Sequence, residues 1–175
     1  MKYLIIVDVQ NDFVDGALGT AEAQEMLSHL LEKVRRFDGT LLVTKDTHGE
    51  DYLETQEGRK LPVPHCIRGT DGWQLAPSLR AIPAVREAKV YEKPCFGSTT
   101  LAADLAARDR EGGVDSVELV GLCTDICVVS NALLLKAAMP EVPVSVDARC
   151  CAGVTPQAHE AALTVMESCQ ISVER

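Results

Sequence analysis

The stretch that decides the fold is "SVELVGLCTDICVVSNALLLKAAM", residues 116–139. Its first seven residues, Ser116–Leu122, form a short apolar run of the kind that makes a buried strand. From near Thr124 to Met139 the apolar spacing becomes helical. A strand passing directly into a helix is half of a βαβ unit, and working outward the same alternation recurs. "YLIIVDV" (Tyr3–Val9) predicts a strand, followed by a helix over about Ala21–Phe37. "TLLVTKD" (Thr40–Asp46) predicts a second strand after the turn signal Asp38-Gly39. Ala88–Lys93 predicts a third, then a helix over Ser98–Asp109 that opens on a Ser N-cap. Val142–Ala148 and Gln170–Glu174 predict the last two strands, with a helix over Thr155–Ser168 that has proline in its first turn. Residues Thr47 to about Gly72, rich in Gly, Pro and His, predict a long irregular segment.

Strands with few polar residues, alternating with helices, imply a sheet covered on both faces. The expected architecture is α/β: a three-layer α/β/α, doubly wound, mostly parallel six-stranded sheet in a single domain spanning 1–175. Periodicity does not specify the strand order. At 175 residues the chain suits one domain with a sizeable core. Its net charge of −9, with no basic run, argues against nucleic acid as a partner. The opening apolar run meets Asp8 at once, without the length or cleavage site of a signal peptide, and no segment approaches a membrane span. The expectation is a cytoplasmic protein with no membrane association.

Seven cysteines without an export signal argue against a disulfide framework. No pair of C-x2-C motifs is present, and adjacent Cys150 and Cys151 suit a structural zinc site poorly. Five or six of the seven are expected to be small buried hydrophobes.

Ligands of open α/β sheets bind beyond the carboxyl ends of the strands. Asp8, Asp46 with His48, Lys93, and Cys123 with Cys127 all fall at that edge. Cys127, in the first turn of the expected helix, meets a dipole that favours thiolate, and a nearby Lys93 would lower its pKa further. Asp8 can take the thiol proton and return it to a leaving group, so Cys, Asp and Lys make a workable set for covalent acyl transfer. A buried cysteine facing the sheet fits the local sequence equally well. "TKDTHGEDY" (44–52) carries Asp46-x-His48, and His65 follows seventeen residues later. One carboxylate and two imidazoles suit zinc, manganese or iron, and equally describe a solvated loop. His29 and His159 lie on predicted helices and read as structural or surface residues.

Taken together, these segments resemble the nicotinamidase branch of the isochorismatase-like cysteine hydrolases. "IIVDVQNDF" (5–13) resembles the family's opening strand and places Asp8 as the catalytic acid. "TKDTH" and "PHCIRGTDG" (64–72) resemble its metal loop, implying Asp46, His48 and His65 as ligands of one divalent ion, zinc first, with iron or manganese as alternatives. "KPCFGSTTL" (93–101) implies Lys93 as the catalytic lysine. "GLCTDICV" (121–128) implies Cys127 as the nucleophile. The family also has a non-proline cis peptide before the position of Cys123, whose backbone N–H joins that of Cys127 in an oxyanion hole.

The activity implied is hydrolysis of a small primary amide through a thioester on Cys127. Phe13, Leu18 and Phe96 are candidate walls for the substrate ring, or ordinary packing residues. Relatives often self-associate, so a homo-oligomer is possible. The chain departs from the family pattern at "RKLPVPHC" (59–66), where Pro62 stands in the place of a usual aromatic residue. It departs again at "CFGSTT" (95–100), where Ser-Ala-Phe is more usual. Both bear on the pocket and not on the chemistry. A related hydrolase acting on another amide or carbamoyl group is the alternative. Isochorismatase itself is disfavoured by the metal loop and the lack of a basic cluster for a dianion. A non-enzymatic thiol switch is the remote reading.

Overall fold

The computed structural model describes all 175 residues, Met1–Arg175. Six strands form one sheet: β1 (Lys2–Val7), β2 (Thr40–Asp46), β3 (Lys89–Lys93), β4 (Ser116–Leu122), β5 (Val144–Ala152) and β6 (Ser172–Glu174). Their order is β3-β2-β1-β4-β5-β6, and every pairing is parallel. The helices are α1 (Asn11–Val14), α2 (Ala21–Arg36), α3 (Gln56–Lys60), α4 (Pro77–Arg80), α5 (Pro83–Glu87), α6 (Thr99–Arg110), α7 (Val129–Ala138) and α8 (Pro156–Ser168).

The side-chain alternation of β1 divides the core. Tyr3, Ile5 and Val7 face a cluster supplied by α6, α7 and α8, whereas Leu4 and Ile6 face one supplied by α1, α2, α4 and α5. Lys33 of α2 reaches across to Asp147 of β5 at 2.7 Å and also meets Glu118 of β4, which pins α2 to the sheet. No helix is long and apolar enough to cross a membrane.

Several expected boundaries change. The segment from Thr47 to Gly72 holds a turn of 3-10 helix (Tyr52–Glu54) and α3, with Thr55 capping α3 by accepting the Gly58 N–H at 3.0 Å. Helices α4 and α5, too short for periodicity to reveal, each begin at a proline. β5 runs to Ala152, so Cys150 and Cys151 point to opposite faces and enter different core clusters. Four of the seven cysteines are buried, fewer than expected. Cys95 follows the end of β3 and Cys169 the end of α8, where the chain returns to the surface, and Cys123 is half-buried.

This topology positions the site. The chain winds outward from β1 through β2 to β3, then returns beside β1 with β4 and winds the other way. A crevice therefore opens between the carboxyl ends of β1 and β4. Gly121 lets those two strands close on each other. Its φ is +124°, and a Cβ there would stand 2.1 Å from the Val7 carbonyl oxygen.

Candidate active site

Asp8 follows β1 with a left-handed backbone, φ +48°, a conformation that few residues other than Gly, Asn and Asp adopt. It is fully buried. Its Oδ1 accepts the Thr44 hydroxyl at 2.7 Å, while Oδ2 has the Lys93 ammonium 2.6 Å away and no other partner. Lys93, the last residue of β3, also lies 3.4 Å from Cys127 Sγ and 3.4 Å from Asp46 Oδ1. One buried cation thus joins two carboxylates and a thiol.

Cys127 sits in a turn that is wider than the expected α-helical start. Thr124–Val128 form a π-helical turn in which the Val128 N–H reaches the Cys123 carbonyl at 3.0 Å, and α7 follows. The peptide bond Leu122–Cys123 is cis, and the Cys123 N–H donates to no acceptor in the protein. The turn is held from two sides. Asn131, buried in α7, donates to the Cys127 carbonyl at 2.8 Å and accepts the Ser98 N–H at 2.9 Å. His159 of α8 lies 2.8 Å from the Thr124 hydroxyl, so it supports this turn rather than standing apart from the site.

The electrostatics correct one expectation. Burial, followed by the charge of Asp8, pushes the Cys127 thiol well above its ordinary value, and Lys93 recovers only part of this. The free protein therefore holds a neutral thiol, because desolvation and a neighbouring carboxylate outweigh one cation and a helix terminus. Burial likewise raises the Asp8 carboxyl above its usual range, an effect that Lys93 partly offsets and Asp46 reinforces. For Lys93, burial opposes the charge, but the carboxylates of Asp8 and Asp46 hold it firmly protonated.

Asp46, at the end of β2, is held by Gln10, a fully buried side chain that sequence reading passed over. Gln10 accepts the Asp46 N–H at 2.7 Å and donates to its carbonyl at 2.9 Å. Asp46 Oδ2 lies 2.9 Å from His48 Nε2 and 3.5 Å from His65 Nε2. Burial works to raise the Asp46 carboxyl, but both imidazoles and Lys93 hold it below its ordinary value. His65 Nδ1 donates to the Val63 carbonyl at 2.8 Å, which aims Nε2 at the cluster. Glu57, on α3, adds a donor absent from the sequence reading. Its Oε1 stands 3.7 Å from Nε2 of both His48 and His65, and the four ligand atoms lie within 4.8 Å of one another. The Thr55 N-cap that starts α3 is the sequence signal that could have placed Glu57 on a helix near the loop. Two imidazoles and two carboxylates, mostly buried, form a donor set that fits a divalent cation.

The cavity between these groups is lined by Phe13, Leu18, Asp46, Glu57, Leu61, His65, Phe96, Cys123, Ile126 and Cys127. Leu61 stands in this wall, and Pro62 next to it is exposed. Cys127 and the metal-type donors thus open onto one space at the switch point of the sheet.

A doubly wound α/β sheet with buried Cys, Asp and Lys beside a His/carboxylate cluster defines a class of hydrolase-like proteins, and the family follows from likeness. The isochorismatase domain matches residues 2–174. The nicotinamidase/pyrazinamidase of Mycobacterium tuberculosis is 35% identical over 145 residues, covering 75% of this chain and 77% of that protein. A pyrazinamidase/nicotinamidase from Streptococcus mutans has a TM-score of 0.84 at 25% identity, with 99% of both chains covered. The pyrazinamidase of Pyrococcus horikoshii, solved in complex with zinc, has a TM-score of 0.79 at 25% identity, covering 99% of this chain and 98% of that one. The chain belongs to the isochorismatase family.

Proposed function

We propose that this protein is a metal-dependent nicotinamidase, hydrolysing nicotinamide to nicotinic acid and ammonia. The observation that carries the reading is Lys93, whose ammonium lies 2.6 Å from Asp8 and 3.4 Å from Cys127 Sγ at a cavity shared with the metal-type donors. The family match and relatives named for this activity support it.

Catalysis starts from neutral Cys127 beside the Asp8 carboxylate. As sulfur attacks the amide carbonyl, Asp8 takes the thiol proton, and the raised Asp8 pKa makes this carboxylate a stronger base than an exposed one. The backbone N–H groups of Cys123 and Cys127 receive the developing oxyanion. Asp8 then gives its proton to the nitrogen, the C–N bond breaks, and ammonia leaves a thioester on Cys127. Asp8 next takes a proton from water, whose oxygen attacks the thioester, and the released thiolate recovers that proton. Lys93 stays charged throughout and offsets the negative charge moving between sulfur and Asp8.

Asp46, His48 and His65, with Glu57 as a fourth donor, would hold the metal. When bound, it supplies a Lewis-acidic anchor for the pyridine nitrogen. Zinc is the ion proposed, because a mixed imidazole and carboxylate set suits it, with iron or manganese as alternatives. Phe13, Leu18 and Phe96 wall the ring.

The test is ammonia release from nicotinamide by purified protein with its metal quantified, beside Cys127→Ala and Cys123→Ala. Turnover abolished in Cys127→Ala and retained in Cys123→Ala supports both the activity and the assignment of the two cysteines. No turnover by the metal-loaded wild type would overturn the nicotinamidase reading, and a dead Cys123→Ala with an active Cys127→Ala would reverse the assignment.

A further inference from the structure

Lys93 and Cys127 meet although the sheet keeps their strands apart. In the order β3-β2-β1-β4, the two strands that lead to them stand three spacings from each other, about 14 Å. Lys93 ends β3 and Cys127 follows β4, so strand pairing alone does not set the 3.4 Å between ammonium and sulfur. Burial, and then the charge of Asp8, raise the Cys127 thiol, and Lys93 offsets part of this only while the sulfur stays beside it.

The segment after Lys93 is tied to the nucleophile turn by Asn131, which is 1% exposed. Its amide nitrogen donates to the Cys127 carbonyl at 2.8 Å and to the Phe96 carbonyl at 3.2 Å, and its oxygen accepts the Ser98 N–H at 2.9 Å. Both amide hydrogens are thereby used, and a flipped amide would set its oxygen against two carbonyls. A helical side chain that merely back-bonds satisfies the i−4 carbonyl, here that of Cys127. The two further bonds go to the segment between Lys93 and α6. Gly97 belongs to that segment, and a Cβ there would stand 2.5 Å from Leu134 Cδ1, so the loop lies directly on α7. Phe96, held through its carbonyl, lines the cavity at Cys127.

We infer that Asn131 is a positioning residue for the reaction: it fastens the Cys127 turn to the Lys93–Ser98 segment, which keeps the sulfur at the ammonium and the Phe96 wall in register with both. The inference rests on the assignment of Cys127 as nucleophile in the amidase reading. Its two consequences separate. Loss of the Cys127 bond frees the turn and lowers kcat, since a misplacement of about 1 Å costs up to about 100-fold. Loss of the Phe96 and Ser98 bonds frees the ring wall and raises KM.

The experiment compares zinc-loaded wild type, Asn131→Ala and Asn131→Thr on nicotinamide. Asn131→Ala should lower kcat by about 10-fold to 100-fold and raise KM. Asn131→Thr keeps a hydroxyl that donates to the i−4 carbonyl, so kcat should return to within about threefold of wild type while KM stays raised. Should Asn131→Ala fail to fold, Asn131→Leu, close in volume and without hydrogen bonds, takes its place. A second readout needs no substrate. Iodoacetamide alkylation of Cys127 at pH 8 is followed by peptide mass spectrometry in wild type, Asn131→Ala, Lys93→Met and the double variant. One adjacent cation is worth about 10-fold or more in thiolate, so Asn131→Ala should slow alkylation by up to about 10-fold, and no further once Lys93 is gone. A purely structural role would instead speed alkylation in both backgrounds by exposing the thiol. The positioning role is overturned if kcat of Asn131→Ala lies within about twofold of wild type, if Asn131→Thr is as slow as Asn131→Ala, or if alkylation is not slowed. No turnover by wild type would overturn the nicotinamidase reading, and the alkylation cycle would still decide the role of Asn131.

Discussion

Replacing Lys93 with methionine tests the electrostatic core of the site. The change keeps the length of the side chain and removes its charge. Lys93 and Asp8 have side chains 1% and 0% exposed, so water cannot substitute for the lost ammonium. Removing one partner of a buried ion pair typically costs about 3–5 kcal/mol. At this chain length each kcal/mol shifts Tm by about 2–4 °C, giving an expected loss of about 6–20 °C. The loss should depend on pH. Without Lys93 the Asp8 carboxyl, already raised by burial, rises further. An acid with a raised folded pKa is stable where both states are protonated, and it loses stability as pH climbs from the unfolded value toward the folded one. The variant should therefore be impaired less at pH 5 than at pH 8. Denaturant unfolding of metal-free wild type, Lys93→Met, Asp8→Asn and the double variant at both pH values measures this. The double variant should be more stable than Lys93→Met, since both charges are then absent. A loss below about 1 kcal/mol, the range of an exposed pair, or one that grows as pH falls, would refute Lys93 as the buried counter-ion.

Three further outcomes are expected. Thr44→Val removes a hydrogen bond that holds the Asp8 carboxyl down, so the acid limb of kcat/KM should move to higher pH; a shift to lower pH would contradict Asp8 as the base. Glu57→Gln should weaken divalent-metal affinity by about 10-fold to 100-fold in chelator competition, and unchanged affinity would remove Glu57 from the ligand set. Gly121→Ala should cost more than about 1 kcal/mol in chemical denaturation, because its φ is +124° and the new Cβ meets the Val7 carbonyl; a neutral result would contradict the close approach of β1 and β4.

The candidate site was legible in the sequence where chemistry follows from local pattern. Asp8, Asp46, Lys93 and Cys127 could be placed because each lies at or just after a strand end, and strands declare themselves by short apolar runs. The resemblance to a known family then supplied their roles. Gln10, Glu57 and Asn131 escaped that reading. Gln10 matters only because β2 runs beside β1, and Asn131 because α7 packs against the loop after β3. Glu57 matters only because α3 folds back over the two histidines. His159, 35 residues along the chain from Thr124, became a support of the Cys127 turn only through the packing of α8.

The sequence by itself determined the layered α/β class, the strands and the longer helices, since burial on two faces and helical spacing are written in the order of apolar residues. It also determined which reactive side chains lie at the carboxyl edge of the sheet. Only the tertiary structure decided the strand order, the pairing of Lys93 with two carboxylates and the fourth metal-type donor. It also reversed the sign of the Cys127 shift. A helix terminus and a nearby lysine favour thiolate on paper, but desolvation grows with burial, and the charge of Asp8, from another strand, outweighs that of Lys93. Desolvation and long-range charge are properties of the packed volume, not of the residues next along the chain.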